Sequence, residues 1–331
     1  MTTGTRPRLG FLGVGWIGRN RMEAIAHSGV AQIVAVADAA PDAGAAASAS
    51  VGAAVVGPDV LLSGGLDLDG LVIATPSALH AEQAIRALRN GMAVFCQKPL
   101  GRTAGECAQV VGAASHADRL LGVDLSYRHL AAVARMRELL ASGALGDIYA
   151  VDLVFHNAYG PDKPWFTDSR LAGGGCVIDL GIHLVDLALW MLEGPKVESV
   201  TARLFARGRP LAADADVVED FAVARLDLST TAVVNLSCSW FLHAGVDAEI
   251  SATFHGTSGS VSLHNVAGSF YDFTASHRTG TASRILAEPP DDWSGRAAVR
   301  WAQRLAAGGR YDPAAAELVD VATVLDRVYG R

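Results

Sequence analysis

Asp179 and His183 stand four residues apart in a segment that begins with Gly173, Gly174 and Gly175 and reads as a helix over 176–192. At that spacing two side chains share one helical face, one turn apart. Ile178, Ile182, Val185 and Leu189 fall on another face, so the polar pair is not the solvated side of an amphipathic helix. An imidazole beside a carboxylate suits general-base chemistry near neutral pH: it takes the proton of a secondary hydroxyl while a hydride leaves the same carbon. Asp179 would orient His183 or hold a neighbouring hydroxyl. Lys98, in Gln97-Lys98-Pro99, brings an ammonium that shares the proton or stabilises the alkoxide. The competing reading is a helix-terminal aspartate next to a core histidine. The three glycines argue against it, because they let a ligand approach the backbone closely.

A departing hydride needs an acceptor. Gly13-Val14-Gly15-Trp16-Ile17-Gly18 follows the apolar run 9–12 and opens a helix. There Gly15 admits a pyrophosphate and the helix N-terminus, through Trp16 and Ile17, offers unpaired N–H groups. The glycine triplet alone is a weak signal, and its context strengthens it. The next apolar run ends at Asp38, twenty residues after Gly18, where a carboxylate accepts both ribose hydroxyls; a turn or N-cap role is the alternative. Asp38 repels a 2′-phosphate, and Ala39 and Ala40 offer nothing to bind one, so NAD is expected in preference to NADP. Two more loops leave strands on the same edge: Thr75-Pro76-Ser77, followed by His80, and Gln97-Lys98-Pro99. A proline in such a loop also ends a strand without any further role.

The elements that carry these loops alternate. Strands are expected at 9–12, 33–38, 70–74, 93–96 and 120–123, with helices at 18–28, 41–51, 78–90 and 103–117 between them. That is the pattern of parallel strands with crossover helices. After a helix at 132–141 the pattern changes to strands at 148–156, 197–207, 218–227, 231–240, 248–255, 260–264 and 269–275, which read as one open, mostly antiparallel sheet. The expected organisation is α/β: a dinucleotide-binding domain at 1–124, and a second domain at 125–331 whose last helix, 313–329, packs back on the first.

Composition narrows the function classes. The 331 residues make roughly two domains, and a net charge of −7 without clustered Lys and Arg gives nucleic acid nothing to bind. No run approaches the roughly 18 uninterrupted apolar positions of a membrane span. Residues 1–8 are short and polar and 9–14 are broken by glycines, so no signal peptide is read and a cytoplasmic, membrane-free protein is expected. Cys96, Cys107, Cys176 and Cys238 lack metal-ligand or disulfide spacing, and buried reduced thiols with no metal site are expected. A neutral small molecule remains as substrate.

Taken in order, Gly13-x-Gly15-x-x-Gly18, Thr75-Pro76 with His80, Lys98-Pro99, Gly174-Gly175, and Asp179 with His183 resemble the Gfo/Idh/MocA oxidoreductases, the glucose-fructose oxidoreductase and inositol dehydrogenase group. The stretch from His80 to Gly91 and Gly143-Ala144-Leu145-Gly146-Asp147-Ile148 are similar to that family too, and the likeness runs from about 9 to 195. The resemblance implies a Rossmann domain with a second α/β domain, and dimers or tetramers formed through its open sheet. It also implies Lys98, Asp179 and His183 as the catalytic trio, with Thr75, His80 and Lys98 lining the nicotinamide end. The substrate implied is a sugar, sugar derivative or cyclitol. Redox-assisted glycoside cleavage or elimination with NAD regenerated, or a non-catalytic NAD- or sugar-binding regulator, are the alternatives. One position departs: the family usually has Glu-Lys-Pro where this chain has Gln97-Lys98-Pro99. Tyr127 and Arg128, His156, and Trp165 in the loop near Lys163 are the further substrate-side candidates, Trp165 as a stacking surface for a sugar ring.

Overall fold

A computed structural model describes residues 6–212 and 217–331, so the first five residues of the polar leader lie outside the described residues. The chain divides into two compact units, residues up to 126 with 294–320, and residues 127–293 with 321–331.

In the first unit short apolar runs alternate with helices: β1 (Arg8–Leu12), α1 (Trp16–Ser28), β2 (Gln32–Ala37), α2 (Pro41–Val51), β3 (Ala54–Val55), α3 (Pro58–Leu62), β4 (Gly70–Ile73), α4 (Ser77–Arg89), β5 (Ala93–Cys96), α5 (Ala104–Ala117) and β6 (Leu121–Val123). The strands form a parallel six-stranded sheet in the order β3-β2-β1-β4-β5-β6. Every residue of β4 and β5 is buried, which explains why these strands read as unbroken apolar runs rather than alternating ones. Strand order reverses between β1 and β4, and the loops after these strands leave from their carboxyl ends, where open α/β sheets bind ligands.

The helix Arg296–Ala306 completes this unit. Trp301 packs in its core with Leu9, Phe11, Val72 and Phe95, its ring 5.7 Å from that of Phe95. The sequence reading assigns 294–320 to the second domain; the structure returns it to the first. The burying face of this helix is mostly alanine, with Ala297, Ala298 and Ala302 around Trp301, so an apolar-periodicity reading passes over it.

The second unit contains α6 (Ala131–Ala141), β7 (Ile148–Asn157), α7 (Ser169–Ala172), α8 (Ile182–Met191), β8 (Val197–Ala206), β9 (Arg209–Pro210), β10 (Phe221–Leu228), β11 (Val233–Ser239), β12 (Ala248–Gly256), β13 (Ser260–Asn265), β14 (Phe273–Thr279) and β15 (Ala282–Ala287). They build a nine-stranded sheet, β15-β14-β13-β12-β7-β11-β10-β8-β9, parallel at β7/β11 and antiparallel elsewhere. In β10, Ala222, Ala224, Leu226 and Leu228 are buried while Val223 and Arg225 are exposed, so one face is core and the other open. Ser269 and Asp272 hydrogen-bond across a turn at 2.9 Å, and this local turn chemistry moves β14 four residues beyond the start expected at 269.

The remaining helices, in chain order, are α9, the Trp301 helix already described, and α10 (Glu317–Tyr329). The expectation that 313–329 packs back on the first domain holds for its first part, since 313–320 belong to the first unit. The chain passes to the second unit at 321, where Arg327 donates to the carbonyls of Val197 and Glu198 at 2.7 and 2.8 Å. The segment Ser169–Met191 is long and apolar enough to cross a membrane by composition, but 83% of its most apolar window is buried inside the protein, as in a core helix.

Candidate active site

The glycine loop is built by close approach. Gly13 has φ 85°, and a Cβ there would lie 2.5 Å from the Ala74 carbonyl oxygen; a Cβ on Gly18 would lie 2.1 Å from the Gly13 oxygen. Gly15 differs, since a Cβ there meets nothing within 4 Å. α1 starts at that open position without a side-chain cap and without an acidic residue in its first turn, and Trp16 beside it is 71% exposed. α5, by contrast, has its first turn capped by Thr103 and contains Glu106. An uncapped N-terminus with no anion of its own fits a dinucleotide pyrophosphate. Asp38 accepts from the backbone N–H groups of Val14 and Ala40 at 2.7 and 2.8 Å, so it fixes the glycine loop. A carboxylate has about four acceptor positions, which leaves capacity for ribose hydroxyls.

Lys98 is singled out by burial: from Met92 to Gly101 every other residue is buried. Its neighbours are anchored. Gln97, expected beside the cofactor, turns inward and donates from Nε2 to Asp124 Oδ2 at 2.5 Å, and Asp124 also accepts from Arg21 Nε at 2.6 Å and Ser126 Oγ at 2.5 Å. A glutamate at 97 would set a second carboxylate against Asp124, which gives a physical reason for the amide. His80, also expected to line the cofactor, is 1% exposed. Its Nδ1 lies 2.7 Å from the Pro99 carbonyl and its Nε2 2.6 Å from that of Thr75. It therefore ties two loops together instead of facing a ligand. Burial holds His80 below the ordinary histidine pKa, opposed by those two carbonyls. Thr75 donates to Gln83 at 2.7 Å, and Pro76 precedes the first residue of α4.

Asp179 and His183 are singled out in the same way, as the two residues between Ala172 and Leu189 that are not fully buried. The backbone beneath them is a π-helical turn, Val177–Gly181, running into α8, instead of the single α-helix the spacing predicts. Such turns recur at functional sites. A buried carboxylate fixes this turn: Glu219 accepts from the N–H groups of Gly175 (3.0 Å) and Val177 (2.9 Å) and from the Tyr329 hydroxyl (2.7 Å). Burial pushes the Glu219 carboxyl up from its ordinary range, against the pull of these donors. Gly174 and Gly175 are required by this packing, since Cβ atoms there would lie 2.0 Å from Tyr329 Oη and 1.9 Å from the Glu219 carbonyl oxygen. The expectation that they admit a ligand is thereby corrected. Trp240 Nε1 donates to Asp179 Oδ2 at 3.1 Å, and the His183 ring lies 5.0 Å from that of Tyr127.

The softer substrate candidates divide. Tyr127 is 8% exposed within an aromatic cluster with Phe155, Phe273 and Trp293, and burial raises its phenol well above its ordinary value. Arg128 pairs with buried Asp186 at 2.6 Å and lies over Trp190, a structural role. His156 is buried against Ser239 Oγ (2.7 Å) and stacked on Phe221, and burial lowers its pKa. Trp165 stacks on Phe166 at 3.8 Å, and Phe166 meets Trp240 edge-on at 6.5 Å, which links that loop to the residue bonded to Asp179. Sequence reasoning misses Trp240, Glu219 and Tyr329, because their partners are between 42 and 151 residues away. Among the described residues no group of three metal-ligating side chains assembles, and the four cysteines are buried and form no disulfide.

A parallel six-stranded nucleotide-type sheet with Lys98 in a loop after β5, and a second unit with an open mixed sheet and Asp179 and His183 on its buried helical segment, define a two-domain pyridine-nucleotide oxidoreductase. The family model for the oxidoreductase family with NAD-binding Rossmann fold, GFO_IDH_MocA, matches residues 8–125, and the GFO/IDH/MocA C-terminal domain matches 133–262. The chain belongs to the GFO/IDH/MocA family. It is 32% identical over 265 residues to inositol 2-dehydrogenase 2 of Saccharopolyspora erythraea, covering 77% of this chain and 73% of that one. It is also 28% identical over 263 residues to the 1,5-anhydro-D-fructose reductase of Ensifer adhaerens, covering 78% and 76%. The crystal structure of GenD2 from gentamicin A biosynthesis, in complex with NAD, superposes with a TM-score of 0.82 at 26% identity, over 99% of this chain and 95% of that one.

Proposed function

We propose that the protein is an NAD-dependent dehydrogenase that moves a hydride between the nicotinamide and a secondary hydroxyl or ketone of a sugar, sugar derivative or cyclitol. The observation that carries this reading is the burial pattern: Lys98, Asp179 and His183 are the polar residues left accessible in otherwise buried segments. NAD, bound at Gly13, Gly15, Gly18 and Asp38, supplies the hydride acceptor. His183 takes the hydroxyl proton. Asp179, held by Trp240, orients the imidazole or anchors an adjacent hydroxyl. Lys98 stabilises the developing alkoxide and shares its proton. The relatives' names, inositol dehydrogenase and anhydrofructose reductase, support a polyhydroxylated substrate. The free carboxylate capacity of Asp38 and the absence of a basic residue at 39 or 40 support NAD over NADP. The test offers the protein NAD or NADP with myo-inositol, levoglucosan, D-glucose and methyl β-D-glucoside. Reduced nicotinamide is expected to accumulate with NAD and at least one of them. Substrate loss with no net NADH would favour redox-assisted cleavage, and no turnover together with no NAD binding would end the proposal.

The open sheet of the second unit supports a homodimer or homotetramer. The open sheet face presents Asp152, Arg203, Val223, Arg225 and Asn235, a mixed polar and apolar surface that can complement itself about a twofold axis. Sedimentation is expected to give a multiple of the 34.4 kDa chain, and Val223→Arg to shift it towards the monomer. A monomeric wild type would remove this part of the reading.

A further inference from the structure

We infer that Lys98 is set in place by a two-sided buried brace, in which Gln97, through Asp124 and Arg21, and His80, through the Pro99 carbonyl, act as positioning residues. The inference rests on the reading of Lys98 given above. Lysine carries a flexible stem and a point charge, so its usefulness depends on what holds the backbone beneath it. Here both adjacent residues are pinned by buried polar side chains, Gln97 at 2.5 Å to Asp124 and Pro99 at 2.7 Å to His80. The main chain supports the same loop, with Gln97 N donating to Ile73 O at 2.8 Å and Asp124 N to Cys96 O at 2.9 Å. Arg21 lies on α1, the helix that opens at Gly15, so one network joins the nucleotide cradle to the lysine loop.

Charge explains the identities. Arg21 and Asp124 neutralise each other in the interior, 6% and 1% exposed, and Gln97 adds a donor without adding charge. A glutamate at 97 gives two carboxylates for one guanidinium, and buried charge in excess is costly. Placing an asparagine at 124 at the same time restores one carboxylate, one amide and one arginine.

The experiment is therefore a charge relocation. Q97E is expected to lower kcat by about 10- to 100-fold, the range expected for a displaced catalytic group, with NAD affinity nearly unchanged; Q97E/D124N recovers most of the loss. The substrate is whichever of myo-inositol or methyl β-D-glucoside the wild type turns over. A second readout does not depend on turnover. The chain has three lysines, Lys98, Lys163 and Lys196, and reductive methylation with 13C-formaldehyde gives each a separate NMR signal. The Lys98 signal is expected to move in Q97E and return in the double variant, while the other two stay fixed. Gln97→Met removes the donor without adding charge and keeps the test usable if Q97E does not fold. Wild-type kcat and an unmoved Lys98 signal in both single variants, or a double variant worse than Q97E, would overturn the brace. Lys98→Met, run in parallel, separates the two claims: full turnover in that variant removes the role of Lys98 itself, whereas its loss alongside an active Q97E removes only the brace.

Discussion

Replacing His183 by alanine is expected to lower turnover by about 100-fold or more, the usual contribution of a positioned general base, while NAD binds as before. The segregation of effects follows from position. His183 belongs to the second unit, against the Tyr127 ring, and the glycine loop and Asp38 belong to the first. Asp179→Asn should be milder. An amide keeps the acceptor for Trp240 Nε1 but loses the negative charge that favours the imidazolium formed during oxidation. Stopped-flow turnover with calorimetric NAD binding distinguishes these effects. Unchanged kcat in His183→Ala would make the histidine a packing residue and move the proton to Lys98. Loss of NAD affinity in the same variant would mean that its effect is on folding, not on chemistry.

What was legible in the sequence follows the range of the interactions. The alternation of apolar runs and helices exposed the nucleotide-type sheet because its central strands β4 and β5 are buried along their whole length and each crossover is local. Gly13, Gly15 and Gly18 could be read for the same reason, as their contacts lie within one turn and a neighbouring strand. Asp179 and His183 were visible as a spacing. The π-helical turn beneath them was not, because it depends on Glu219, some 40 residues further on, and on Tyr329, about 150 residues further on. His80, Gln97 and His156 were visible as polar residues in the right loops, yet their side chains serve the interior. Residue type and position gave their neighbourhood, and only coordinates gave their direction. The helix carrying Trp301 was hidden by alanine, which buries well but leaves little apolar signature.

The largest stability effect is expected at Glu219. Glu219→Ala leaves the N–H groups of Gly175 and Val177 and the Tyr329 hydroxyl without their carboxylate, and each orphaned buried donor costs about 1–3 kcal/mol. Even the low end for three such donors, roughly 3 kcal/mol, is a large part of ordinary domain stability, about 5–15 kcal/mol, so thermal unfolding should move down by many degrees. The same loss frees the turn that aims Asp179, and kcat should fall about tenfold or more even where the variant is folded. Glu219→Gln keeps one carbonyl acceptor and should be much milder. It also tests the charge state. A carboxyl whose folded pKa is raised binds its proton more tightly in the native state, so its contribution to stability is full below the unfolded value near 4.5 and is lost as pH rises through the folded value. The neutral amide has no such loss, and Tm of Glu219→Gln relative to wild type should therefore rise as pH climbs above about 4.5. A constant difference across that range would show that Glu219 ionises in the folded protein as readily as in the unfolded chain.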